Sequence, residues 1–161
     1  MNTNFAEATR EALEYMRTRT CVGMVATIGA HAQPYLSPVY YAMGNDFEVY
    51  FLTGKNTHKA ENIELNNKVA FSVGTGPEYI SVMIRGTASI PGSEEEERAF
   101  ARLKDIFEKN DVKNWPLRTL DDLKDQNLVL YKITPEKVTF LNMNSTEEPK
   151  THADHLYHLV D

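Results

Sequence analysis

At Cys21 the sequence stops repeating with the period of a helix and takes up the period of a strand, to which it returns six or seven times. Before the switch, Phe5, Ala8, Ala12, Leu13 and Met16 recur at helical spacing with Glu7, Arg10, Glu11, Glu14 and Arg17 between them, which predicts an opening amphipathic helix. After it, residues 21–28, 35–43 and 47–53 read as strands parted by turn residues at 29–34 and 44–46, an antiparallel meander of three. Gly54-Lys55-Asn56 breaks the third strand. Residues 57–66 then predict a short helix with Ala60, Ile63 and either Glu64 or Leu65 turned inward. Strands are predicted at 69–73 and 79–90, either side of a breaker at Gly74-Thr75-Gly76-Pro77.

Ser93-Glu94-Glu95-Glu96 has the capping-box pattern and predicts a helix to about Phe107. Within residues 111–125, Leu117, Leu120 and Leu123 suggest a brief helical turn, and Trp115-Pro116 interrupts the segment; Trp115 is expected near a subunit interface or cofactor mouth. Residues 127–133 and 137–142 are predicted as a final hairpin turning at Thr134-Pro135-Glu136. Many short strands, with helices inserted after the third and fifth, point to a mainly β (α+β) antiparallel barrel, because closure removes the unpaired edges of an open sheet. Residues 1–143 are expected to form one domain and residues 144–161 a polar tail, since no linker rich in Pro, Gly or Ser divides the 161 residues.

Cys21 is the only cysteine, so no disulfide can form within the chain. No segment has the continuous apolar stretch of a signal peptide or a membrane-spanning helix, and a cytoplasmic protein is expected. The formal charge of -6 argues against nucleic acid and anionic membranes as partners, while leaving room for one local phosphate site.

The stretch with the clearest chemistry is Tyr50-Phe51-Leu52-Thr53-Gly54-Lys55-Asn56-Thr57-His58-Lys59. A strand ends, the chain turns at glycine, and a hydroxyl residue followed by two basic ones opens a helix. First-turn amides and the helix dipole suit an anion there, with Thr57 and Lys59 adding a hydroxyl and a charge. The plainer reading is that Thr57 caps a surface helix whose Lys59 is solvated.

This stretch resembles the flavin-phosphate motif of the pyridoxamine 5'-phosphate oxidase-like split barrels, a strand of roughly Phe-x-Thr before a Ser/Thr-Arg-Lys triplet. Neighbouring segments are similar in the same order: Ala26-Thr27-Ile28 with Gln33-Pro34-Tyr35-Leu36-Ser37-Pro38-Val39, then Asn66 to Val73, then Ile84-Arg85-Gly86-Thr87-Ala88, then Lys132 to Val138. The resemblance implies an antiparallel split β-barrel with peripheral helices, a homodimer, and FMN bound between its two protomers. It implies that Ser37, Pro38, Val39 and Tyr40 line the isoalloxazine edge, that Leu52 and Thr53 lie along the ring or its side chain, and that Thr57, His58 and Lys59 hold the phosphate. Ser81 falls near a further flavin-contacting position.

In the oxidases an arginine stands at the position of His58, and imidazole cannot form the bidentate fork that a guanidinium makes with phosphate. Where they carry an Arg-x-His substrate motif, this chain has Thr151-His152-Ala153-Asp154-His155, so pyridoxamine phosphate is not the expected substrate. The resemblance implies an oxidoreductase acting on a small molecule, with NADH or NADPH as a candidate donor. Flavin chemistry resides in the cofactor, so no catalytic residue is assigned. Two alternatives stand beside it: a non-catalytic flavin-binding or stress-associated protein, and a haem-binding or haem-degrading split barrel. His152, His155 and His158 recur every three residues, which fits either a metal or haem site on a helix or a frayed polar terminus; no metal site is assigned.

Overall fold

The computed structural model describes residues 3–74, 79–112, 119–143 and 156–160. Helix α1 (Thr3–Thr18) leads into β1 (Val22–Ile28), a single 3-10 turn (Ala30–Ala32), β2 (Pro34–Met43) and β3 (Val49–Gly54). Helix α2 (His58–Leu65), β4 (Lys68–Val73), β5 (Ile80–Ser89), α3 (Ser93–Lys109), α4 (Asp121–Asp125), β6 (Leu128–Asn142) and β7 (Leu156–Val160) follow. The strands lie in the order β3-β2-β1-β4-β5-β6-β7, every pairing is antiparallel, and β3 also pairs with β6. That last pairing closes six strands into a barrel. Strand β7 lies outside the closed ring, on β6.

Strand alternation sends one set of side chains inward, where Val25, Val39, Phe51, Phe71, Val82, Ile84, Val138 and Phe140 form the barrel core with Ala8, Ala12 and Met16 of α1. Tyr41 ties that helix to the wall by donating its hydroxyl to Met16 O at 2.7 Å. Strand β3 and residues 128–133 of β6 are covered on both faces. Their outward residues Tyr50 and Leu130 pack with Ala99, Phe100, Leu103 and Phe107 of α3 and Leu123 of α4 in a second core, which is why 47–53 reads as a nearly unbroken apolar run.

A charged clasp fastens α3 over β3 and β6. Lys132 Nζ lies 2.7 Å from both Glu48 Oε1 and Glu95 Oε1. Tyr50, the register partner of Lys132, donates its hydroxyl to Glu95 Oε1 at 2.7 Å and Glu48 Oε2 at 3.3 Å. The Lys132 side chain is 17% exposed. Its ammonium and the Tyr50 hydroxyl hold the Glu95 carboxyl below its ordinary pKa. Burial alone would lower the pKa of Lys132, but the two carboxylates outweigh it and the pKa is raised.

Several expectations from the sequence need correction. The final hairpin is one continuous strand: Thr134, Pro135 and Lys137 all keep partners on β5, and Glu136 is the extra residue where the register shifts between Arg85 and Gly86. A bulge tolerates the proline that suggested a turn, and Gly86 opposite it is obligatory because a Cβ there would overlap the Thr134 carbonyl oxygen. The polar tail ends in β7, paired to Val138–Leu141. Helix α3 starts from Gly92 without a side-chain cap, and the Glu96 amide bonds to Gly92 O at 2.8 Å, so Ser93 stands inside the helix and no capping box forms. The inner face of α2 is Ala60, Asn62 and Ile63, whereas Leu65 is 75% exposed. Trp115 and Leu117 lie outside the described residues. No helix among the described residues is long and apolar enough to cross a membrane.

Replacing Lys132 with Met leaves Glu48 and Glu95 together without their cation, and should cost about 2 kcal/mol at pH 7 in urea unfolding. Glu95 is a depressed carboxyl, so its contribution is present above the unfolded pKa and lost as pH falls through the folded one. The difference between wild type and Lys132→Met should therefore shrink when the titration is repeated at pH 4.

Candidate functional site

Strand β3 is paired unequally on its two sides. All of Val49–Gly54 pairs with Leu128–Ile133 of β6, but only Val49, Tyr50 and Phe51 pair with β2, at Met43, Ala42 and Tyr41. From Tyr40 back to Pro34, β2 pairs with β1 alone. The barrel wall thus parts between 34–40 on one side and Leu52-Thr53-Gly54 on the other, and the chain leaving β3 turns at this split into α2.

The turn is built for a helix start. Thr57 has extended backbone and accepts the Ala60 amide on Oγ1 at 3.4 Å, the N-cap arrangement. It donates the same hydroxyl to Gly54 O at 2.8 Å. Thr53 Oγ1 lies 3.0 Å from Thr57 Oγ1, and because the Thr57 proton is committed to Gly54, Thr53 is the donor of that pair. Lys59 Nζ in turn donates to Thr53 Oγ1 at 3.4 Å. An ordered line therefore runs from the Lys59 ammonium through two threonine hydroxyls to a carbonyl. Ala60 and Ile63 seat α2 on the barrel core, and buried Asn62 donates to buried Thr27 Oγ1 at 3.0 Å, fixing the helix to β1.

Two donors at this place have no protein acceptor among the described residues: the backbone amides of His58 and Lys59, which precede the first intrahelical bond of α2. Lys59 is half-buried and, among the described residues, forms no ion pair. Burial lowers its pKa, the signature of a cation partly stripped of water without a carboxylate in exchange. An anion at the helix start would supply that exchange.

The remaining sequence-predicted positions divide by strand alternation. Ser37 is half-buried and pairs with Val25, and Val39 is 6% exposed in the barrel core. Pro38 and Tyr40 face outward; the Tyr40 ring lies 5.0 Å from that of Phe107 on α3. Leu52 points away from Thr53 and packs with the α3 core. The His58 side chain is 81% exposed and turns to Glu61 at 3.5 Å and to the Tyr35 ring at 5.8 Å, so this residue offers its amide to the helix start rather than its imidazole. Ser81 pairs with Leu141 near the start of β5, while that strand reaches the α2 side of the barrel only at its far end, where the Ala88 amide bonds to Asn67 O. The structure thus joins Thr53, Thr57 and Lys59, and leaves Ser81 in another part of the barrel.

Tyr35 and Asn62 escaped the sequence reading. A buried asparagine at an inward helical position is a usable signal, since it requires a polar partner; Tyr35 becomes visible only once the β1–β2 register is known. His158 lies exposed on β7, paired with Thr139, so it is on a strand and not on a helical face. His152 and His155 lie outside the described residues. Among the described residues no three His, Cys, Asp or Glu side chains come together as metal ligands. A groove of about 680 Å³ lies on the outer face of β1, β4, β5 and β6 and reaches Pro34 at the far end of β2, and neither Thr57, His58 nor Lys59 lines it. Volume alone would favour it as the phosphate site, but the unclaimed helix-start amides and Lys59 are at the split.

The family described as pyridoxamine 5'-phosphate oxidase matches residues 6–142. General stress protein 26 of Bacillus subtilis is 34% identical over 99 residues, which are 58% of this chain and 61% of that protein. The 5a,11a-dehydrotetracycline/5a,11a-dehydrooxytetracycline reductase of Streptomyces rimosus is 31% identical over 99 residues, 56% of this chain and 69% of the reductase. The match to the first of these relatives therefore spans less than two thirds of its length. A heme binding protein from Mycobacterium smegmatis shares the fold with a TM-score of 0.67 at 15% identity, over 96% of this chain and 61% of that one. A FAD-binding protein from Mesorhizobium loti does so with a TM-score of 0.60 at 23% identity, over 81% and 91%. At these identities the structural likeness concerns the fold.

Loss of the cap in Thr57→Ala should cost about 1 kcal/mol in urea unfolding. Lys59→Met should behave oppositely without a ligand. A lysine whose folded pKa is lowered costs stability at neutral pH, and that cost is relieved as pH rises through the folded pKa, so removing the charge at pH 7 leaves stability unchanged or higher. Added inorganic phosphate should stabilise the wild type and not Lys59→Met; equal stabilisation of both would remove Lys59 from the anion site.

Proposed function

Because the chain belongs to the pyridoxamine 5'-phosphate oxidase family, we propose that it is a cytoplasmic, FMN-dependent oxidoreductase acting on a small molecule, with the FMN phosphate at the start of α2. The observation that carries this reading is the pair of amides without an acceptor among the described residues, beside the half-buried Lys59 that has no ion pair among them, at the point where the barrel wall parts. These residues fit a phosphate monoester: two backbone donors and one ammonium converge there beside the Thr53–Thr57 hydroxyl pair, and among the described residues no carboxylate is bonded to the ammonium.

A bound flavin supplies hydride transfer at its N5 atom. The chain's own residues bind and orient. The His58 and Lys59 amides and the Lys59 ammonium hold the phosphate, and Thr53, itself held by Thr57, accepts from the ammonium and positions it. At the part of β2 that has no β3 partner, Ser37 and Val39 spend their main-chain groups on β1, and Pro38 between them offers its carbonyl oxygen to the ring edge, with the Leu36 and Tyr40 amides on either side. Outward-facing Val22, Leu36, Tyr40 and Met83 are 41%, 65%, 38% and 45% exposed on the same side of β2, β1 and β5. In the proposed homodimer a second copy covers this apolar face and excludes water from the split. The relation to a reductase supports an enzyme; the relation to a general stress protein favours, as second reading, a flavin carrier without a dedicated reaction.

Absorbance and fluorescence of the purified protein titrated with FMN test both. Two flavin bands with quenched emission, bleached within seconds by NADH or NADPH, are the expected result. Lys59→Met should weaken FMN binding by at least about tenfold, the worth of one charge-assisted hydrogen bond. Unchanged affinity would show the phosphate assignment to be wrong, flavin reducible only by dithionite would favour the carrier, and a Soret band would replace flavin with haem.

A further inference from the structure

On the outer face of the barrel four strands contribute one residue each to a single row: Ala26 of β1 faces Ala70 of β4, Ala70 faces Arg85 of β5, and Arg85 faces Lys137 of β6. Two alanines side by side keep the floor of this row low. Ile28, Pro34 and Val69 extend it with apolar surface, and together they form the groove of about 680 Å³, a volume in the range of small-molecule sites. Three cations, Lys68, Arg85 and Lys137, and one carboxylate, Glu136, line it. The groove is thus locally positive in a chain whose formal charge is -6.

The cations are not equivalent. Lys68 Nζ is held 2.7 Å from Glu136 Oε1, which neutralises both. Arg85 stands in the middle of the sheet and, among the described residues, has no carboxylate or hydrogen-bond partner. A guanidinium so placed presents a planar fork, suited to two parallel bonds with a carboxylate or phosphate. The flat apolar floor beside it suits an aromatic or compact aliphatic body.

We propose that this groove is a second ligand site, distinct from the phosphate-holding start of α2, that takes a flat apolar molecule bearing one carboxylate or phosphate, with Arg85 selecting the anion. The site does not depend on a bound flavin. Leu36, the β2 partner of Ala26, and Met83, two residues along β5 from Arg85, belong to the apolar face proposed to pair with a second copy, so the groove borders that face and runs from it toward Ile28, Pro34, Lys68 and Lys137.

Calorimetric titration of the full chain with naphthalene-2-carboxylate, 2-naphthyl phosphate and the neutral naphthalene-2-carboxamide tests the proposal, and the tighter of the two anions identifies which group the site prefers. The wild type should bind at least one anion about tenfold more tightly than the amide, one charge-assisted pair being worth that much. Arg85→Gln should abolish the preference and Arg85→Lys should keep most of it. Ala70→Phe fills the floor without changing charge and should remove binding of all three probes. Equal affinity of anion and amide in the wild type, a preference that survives Arg85→Gln, or binding untouched by Ala70→Phe would each overturn the assignment. FMN titrated in parallel separates this outcome from the other site, since Arg85→Gln should leave FMN affinity unchanged.

Discussion

The pairing of β3 with β6 along Val49–Gly54 closes the barrel, while its pairing with β2 stops at Phe51 and Tyr41. Strand β2 stays paired to β1 from Tyr40 to Pro34, whereas β3 stays paired to β6 through Gly54. The backbone of β2 cannot follow two neighbours that diverge, so the wall parts. Everything at the candidate site depends on that parting. It exposes the end of β3, gives α2 a place to start, and leaves main-chain groups of β2 without a β3 partner beside a helix N-terminus. A sheet closed along its full length would have claimed these groups in its ladder.

The same closure explains how α3 is held. Because β3 and the adjoining first part of β6 bury both faces, the helix packs on an apolar second core, and the clasp of Glu48, Lys132, Glu95 and Tyr50 fixes its first turn. The other end of α3 brings Phe107 against Tyr40 of β2. The helix therefore bridges the closed side of the barrel and the strand that borders the split, which makes barrel closure and site geometry parts of one packing arrangement.

Much of this was legible in the residues. Strands β1 to β5, the position of α2 and the join of Thr57 with Lys59 all come from local signals: alternation, glycine breaks and a hydroxyl before a helix. What was missed depends on partners distant in sequence. Thr134-Pro135-Glu136 looks like a turn until Gly86 is known to face it and admit a bulge. Leu156-Tyr157-His158-Leu159-Val160 is too short to announce a strand amid polar residues, and it pairs because the far half of β6 offers an edge. Ser93 resembled a cap, but the helix starts one residue earlier and Glu95 is drawn to Lys132. In the site itself, no local pattern encodes that Thr53 reaches both Thr57 and Lys59, nor that His58 turns to Tyr35.

We propose that the cofactor binds at the split between β2 and β3, with its phosphate at the start of α2. Hydrogen–deuterium exchange of the protein with and without FMN tests it most directly, since bound phosphate and ring would shield backbone amides that now lack protein acceptors. The account predicts slowed exchange centred on residues 34–40 and 54–60, the His58 and Lys59 amides among them. Saturating FMN that slows exchange elsewhere and leaves both segments unchanged would contradict it.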